Sequence, residues 1–212
     1  INPEYVGNTR NIVVSDQSGK SNIISRLKSI KIDIKEDDPK IKKLLSEVKD
    51  REFIGYSYDG ADASFELLAR RIIAKIPRYI SIKEYDVSVT KNDQDKIISK
   101  AKAKLEVDGD KIICEGEGNG PVHALDNAIR NNVDKLEKYA DYLKDLKLVD
   151  YKVRILNTGT EAVTRVSIES TDSKGKNWFT IGVSPNIIEA SFRALVDSLD
   201  YKLFKDNAPA SN

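Results

Sequence analysis

Ile82-Lys83-Glu84-Tyr85-Asp86-Val87 and, 66 residues later, Leu148-Val149-Asp150-Tyr151-Lys152-Val153 read as one strand written twice. At the same offset Gly116 lies over Gly182, Val122 over Ile188, Ala124 over Ala190, Ala128 over Ala194, Ile129 over Leu195 and Val133 over Leu199. The middle strands need a small compensating shift, Leu105-Glu106 over Ile168-Glu169. A repeat of this kind sets the architecture before any single element is assigned. Within the first copy Ile80, Ile82, Val87 and Val89 alternate around Tyr85, and Ala101, Ala103, Leu105 and Val107 alternate again. Asp108-Gly109 supplies a hairpin turn, and Lys111 to Glu115 a third strand. A helix then opens at Pro121 and buries Val122, Leu125, Ile129, Val133 and Leu136. The order is strand, strand, strand, helix, and it returns. Residues 78–212 are therefore expected to hold two βββα units, about 78–140 and 141–204, with 205–212 as a flexible tail.

Upstream the pattern is helical. Ile23, Ile24, Leu27 and Ile30 share a helix face behind Ser21 as cap, and Asp38-Pro39 opens a second helix carrying Ile41, Leu44, Leu45 and Val48. After the break at Asp59-Gly60 a third helix spans Asp62 to Ile76 and stops at Pro77. Asn11 to Ser15 is a short apolar run followed by a turn at Gln17-Ser18-Gly19. The fold class is α+β: tandem βββα repeats, preceded by a mostly helical linker subdomain at 1–77.

Composition narrows function. Of 212 residues 40% are hydrophobic and 33% charged, with 35 basic against 34 acidic side chains. The balance is regional too, 14 against 12 in residues 1–77 and 21 against 22 thereafter. A nucleic-acid binder needs a basic excess to neutralise phosphates, and no window approaches the ~18 apolar residues of a membrane span. Neither partner is expected. One cysteine, Cys114, excludes a disulfide within the chain and fits a reducing cytoplasm, and one histidine, His123, excludes a multi-histidine metal site. The chain has no methionine and opens at Ile1-Asn2-Pro3, the mark of a fragment or processed product.

Each candidate motif has a plain alternative. Ser18-Gly19-Lys20-Ser21 resembles the end of a phosphate-binding loop, but the glycine such a loop needs five residues before Gly19 is Val14. Gly116-Glu117-Gly118-Asn119-Gly120-Pro121 lies between strand and helix, where backbone N–H groups can meet an anion, or simply turn the chain. Gly182-Val183-Ser184-Pro185 is its counterpart, so two helix starts are expected to face a common cleft able to take a small carboxylate. Gly120 should suit a backbone that a side chain resists. His123 reads as a cap, Cys114 as core, Trp178 and Phe179 as core or interface, and Glu36-Asp37-Asp38 as a solvated helix start. No nucleophile, base and acid come together, so no catalytic residue is assigned.

Five ordered motifs resemble the citramalate and isopropylmalate synthase family. They are Val6-Gly7-Asn8 with Val14-Ser15 and Ser18 to Ile23, Asp59 to Leu68, Gly116 to Val122, Leu148 to Ile155, and Gly182 to Ser191. Trp178 and the wording Ile187-Ile188-Glu189-Ala190-Ser191 are closer to the citramalate branch. The resemblance implies a parent acyltransferase whose (β/α)8 barrel binds a divalent metal and condenses acetyl-CoA with pyruvate, on a route to isoleucine. This chain looks like the later linker and the regulatory domain that follow the barrel, with no catalytic group, metal or other cofactor of its own. The domain would form a homodimer and bind isoleucine as feedback inhibitor. A leucine sensor of the isopropylmalate branch, or a module that only dimerises, are the alternatives.

The effector positions carried over by the resemblance are Gly118, Asn119, Gly120, Pro121 and Val122, then Leu148, Tyr151 and Ile155, with Ala162 or its neighbours. Ser184 and Pro185 follow from the repeat as much as from the family. Many members place an acid where this chain has His123, so the effector's ammonium must find backbone carbonyls or another group. Leu148 and Ile155 are an odd number of residues from some of their neighbours in this set, so a bulge or twist is expected. Since one helix covers one face of three strands, the remaining apolar faces are expected to pair across a two-fold axis.

Overall fold

The computed structural model describes residues 19–74, 76–156 and 162–211, so the run Asn11 to Ser15 and the start of its turn lie outside the described residues. Three helices come first: α1 (Lys20–Ser29), α2 (Pro39–Phe53) and α3 (Asp62–Ile73). The cap of α1 is Gly19, two residues before the expected Ser21. Asp38 caps α2 as its sequence suggests, accepting from the N–H of Lys40 at 2.8 Å, with Pro39 at the first position. Helix α3 ends at Ile73, short of Pro77, and Ala74 is its C-cap. Ile23, Leu27, Ile41, Leu44, Tyr58 and Phe65 form the centre of a small core of their own.

The repeat follows. β1 (Ser81–Lys91), β2 (Ile97–Val107) and β3 (Asp110–Gly118) make one antiparallel sheet in that order, covered by α4 (Pro121–Arg130). A 3-10 stretch (Val133–Tyr139) and the short α5 (Ala140–Leu143) lead to β4 (Lys147–Ile155), β5 (Thr164–Thr171) and β6 (Asn177–Ser184), a second antiparallel sheet under α6 (Ile187–Lys205). Asp108 and Gly109 turn the β2–β3 hairpin with φ of 53° and 87°, the left-handed pair that a two-residue hairpin needs. Both units share one buried core, in which Ala103, Leu105 and Leu125 of the first join Val166, Ile168 and Leu195 of the second.

The correspondence between the units extends to an irregularity. The β1–β2 register slips between Ile82 and Glu84, and the β4–β5 register between Leu148 and Asp150. The extra residues are Lys83 and Val149, again 66 apart. The small residues repeat for a physical reason. A Cβ on Gly116 would meet the backbone of Ala124 and Ala128 at 2.3–2.7 Å, and one on Gly182 would meet Ala190 O at 1.9 Å and Ala194 N at 3.0 Å. Each helix lies directly on its third strand because glycine stands below and alanine above.

Two expectations need correction. The helix-free face of the first sheet is charged: Lys100 pairs with Glu117 and Lys102 with Glu115, each at 3.1 Å, and Lys104 with Glu84 at 3.8 Å. The helix-free face of the second is braced by the linker, where Arg165 Nε donates to Gly55 O at 2.6 Å and Ile181 joins the linker core. Neither offers a bare apolar face for a two-fold partner. The tail is also held. Ala208 is buried, Tyr139 donates to Pro209 O at 3.1 Å, and Asp108 N–H donates to Ser211 Oγ at 3.0 Å. Among the described residues no helix is long and apolar enough to cross a membrane.

Candidate functional site

The glycine-rich run does not form a loop along its whole length. Gly116 and Gly118 complete β3, and Gly118 sits under the first turn of α4, where a Cβ would meet Ala124 N at 2.6 Å. The turn is Asn119-Gly120. Gly120 caps α4 in an extended conformation (φ −156°, ψ 166°) with nothing within 4 Å of an added Cβ. Its backbone would accept any residue, contrary to the expectation of a constrained glycine; what is particular here is the open space above it. His123 accepts from the Asn119 N–H at 3.3 Å through Nδ1, a bond to the residue before the cap rather than to the first turn of the helix.

The two helix starts differ. In α6 the side chain of Asn186 accepts from the N–H groups of both Ile188 and Glu189, and Ser184 Oγ accepts from Asn186 N–H. In α4 no side chain caps the first turn, Pro121 has no N–H, and the Val122 and His123 N–H groups have no partner among the described residues. Only the α4 start keeps donors for an anion, so the expected pair of anion-facing helix ends reduces to one. Ser184 is buried and committed to the turn; Pro185 is exposed.

The β4 bulge answers the question of parity. With Val149 set aside, Leu148, Tyr151 and Ile155 pair with Ser170, Ile168 and Thr164, the residues of β5 that face the helix. All three therefore share one face. Leu148 and Tyr151 pack against the core, and Ile155 is 67% exposed. The Tyr151 hydroxyl lies 2.8 Å from Ser191 Oγ on α6, and burial raises its pKa. Ala162 is half-buried just before β5. No hydrogen bond among the described residues joins the Gly118–Val122 turn to β4. The structure thus places the predicted positions in two separate groups, one at the α4 start and one on β4.

A polar group missed in the sequence joins β1 to α6. Tyr85, the repeat partner of Tyr151, donates to Glu189 Oε2 at 2.8 Å and meets Phe192 edge-on at 5.0 Å. Burial, with the bond to the Glu189 carboxylate, pushes the Tyr85 hydroxyl up to about 12. Arg193 holds the other oxygen of Glu189 at 2.6 Å. Glu189 occupies in the second unit the position of His123 in the first, so the repeat itself carried the signal for this acid. Among the described residues no group of histidine, cysteine and carboxylate side chains is arranged to hold a metal ion.

A family model described as the LeuA allosteric (dimerisation) domain matches residues 59–203. The chain is 46% identical over 209 residues to an (R)-citramalate synthase of Aquifex aeolicus, with 97% of this chain and 39% of that protein aligned. The figures for the (R)-citramalate synthase of Geobacter sulfurreducens are 43% over 208 residues, with the same two coverages. For that of Streptomyces coelicolor they are 41% over 214 residues, 99% and 39%. The chain spans about two fifths of the length of these relatives.

Proposed function

The chain belongs to the LeuA allosteric (dimerisation) domain family, and from that premise we propose that it is the C-terminal regulatory and self-associating segment of a cytoplasmic citramalate synthase, binding isoleucine as feedback inhibitor. The observation that carries the reading is the open start of α4. A free amino acid needs donors for its carboxylate, acceptors for its ammonium and a dry wall for its side chain. The unspent N–H groups of Val122 and His123, at the positive end of a helix, supply the first. Leu148, Tyr151 and Ile155 on one face of β4 supply the last, and Glu189, the repeat counterpart of His123, is the candidate for the ammonium in place of the acid that His123 replaces. The parent would join acetyl-CoA to pyruvate on its barrel, and this chain alone would not turn over.

Isothermal titration with isoleucine, leucine and valine tests the proposal. Selectivity between isoleucine and leucine rests on one branch point, so a preference of about 10–200-fold is expected. Gly120→Glu fills the space above the α4 start without straining the backbone, and should abolish binding while the fold persists. Equal binding by this variant and the parent would misplace the pocket. Tighter binding of leucine would move the chain to the isopropylmalate branch, and binding of none would leave a dimerisation module.

A further inference from the structure

We propose that the helix-side far ends of β1 and β4 are the surface on which a second copy of this chain docks. The inference rests on the self-association reading above and adds where that contact lies. Because of the two bulges, Val87 and Val89 on β1 pair with Ala101 and Ser99, and Val153 and Ile155 on β4 pair with Val166 and Thr164. All four point to the face that carries the helices. Three of the four stay open beyond α4 and α6: Val89 is 56% exposed, Val153 42% and Ile155 67%, while Val87 packs partly against the core. Val89 and Ile155 are repeat partners, as are Val87 and Val153. The outer of these register positions, Val89 in one unit and Ile155 in the other, is left bare in both, which a scatter of surface apolar residues would not produce.

The strand edges point the same way. On β3 the carbonyls of Ile113, Glu115 and Glu117 accept from Lys135, Asn132 and Asn127. On β6 the Val183 carbonyl accepts from Arg193 and the Ile181 N–H donates to Ser64. The edges of β1 and β4 pair on one side only, and among the described residues no side chain from another element bonds the other side. Exposed edges of this kind are ordinarily blunted or covered. The occupant is a second copy because the family is one of dimerisation domains, and because a two-fold axis brings the same patch of each chain together. The charged ladder on the outer face of the first sheet is already paired within the chain and is left to solvent.

Sedimentation equilibrium decides it. The parent should sediment at close to twice 23.7 kDa, and the double variant Val89→Asp/Ile155→Asp as a single chain, with self-association weakened by about 100-fold or more. Lys102→Glu, on the outer face, should remain dimeric. A double variant as dimeric as the parent would overturn the proposed surface while leaving self-association intact; a monomeric parent would overturn both. Should the charged variant lose its fold, Ile155→Cys replaces it. Cys114 is buried, so only the new thiol reacts, and it should do so at least about tenfold more slowly at dimer-forming concentration than on dilution. Equal rates would overturn the proposal.

Discussion

Gly182 and Gly120 look alike in the sequence, one residue each at a small-residue run before a helix, and the structure gives them opposite meanings. A methyl group on Gly182 would lie 1.9 Å from Ala190 O, against helix backbone that has nowhere to move. On Gly120 it would meet nothing within 4 Å. Gly182→Ala should therefore destabilise the chain by ~1–3 kcal/mol or more through overpacking, and Gly120→Ala should stay within ~0.5 kcal/mol of the parent. Thermal melts followed at Trp178, the one tryptophan, separate the two; equal shifts would refute the helix-on-glycine account. His123, expected as a cap, instead reaches back from the first turn to the Asn119 N–H before the helix. The role of Gly118 was not, since a glycine that admits a helix and one that admits an anion are written with the same letter.

At the scale of elements the repeat carried most of the fold. Its offset aligned strands, helices and the glycine-alanine contacts, and the odd spacing of Leu148 and Ile155 called for the bulge that Val149 provides. The joint between α3 and α6 was hidden, because nothing in the periodicity of α6 distinguishes Asp197 and Asp200 from solvated positions. Arg71 bonds Asp197 at 3.0 Å and Asp200 at 2.6 Å, and Asp200 also accepts from the backbone N–H groups of Tyr79 and Ile80. Burial, opposed by Arg71 and reinforced by Asp197, pushes the Asp200 carboxyl up to about 6. Since an unfolded aspartate titrates near ~3.9, the folded chain holds the extra proton between those values, and stability from this group falls as pH rises through that window. Asp172 runs the other way: burial raises it, but hydrogen bonds from Lys202 and the Lys176 and Lys174 N–H groups outweigh that and hold it low, so its contribution is lost only in more acid solution. Urea denaturation should find the parent more stable at pH 5 than at pH 7, on Asp200's account, and Asp200→Asn should remove that gain. An unchanged gain in the variant would assign it elsewhere.

Among the described residues there are two apolar cores, one in the three N-terminal helices and one shared by both βββα units, and polar bonds join them. Besides the Arg71 clamp, Glu66 of α3 accepts from Tyr201 at 3.0 Å and from Lys205 at 3.3 Å, and Ser64 accepts from the Ile181 N–H at 3.0 Å. Apolar burial scales with area and gives way gradually, whereas a set of charge-assisted bonds has few alternative arrangements and is lost as a unit. Such a joint lets the three N-terminal helices and the βββα units each stay folded while their relation changes, the kind of pair of arrangements that the proposed effector would have to bind differently. The expected consequence is a stepwise opening. In the doubly substituted Arg71→Met/Asp200→Asn chain, which removes the clamp without leaving a buried charge unpaired, the backbone amides of α1 and α2 should exchange with solvent about tenfold faster or more, a loss of ~1.4 kcal/mol in local stability. Amides of β2 and β3, whose core does not depend on the joint, should keep the parent's protection. If both sets accelerate together, the two cores open as one cooperative unit, and no signal can pass between them by a change in their relation.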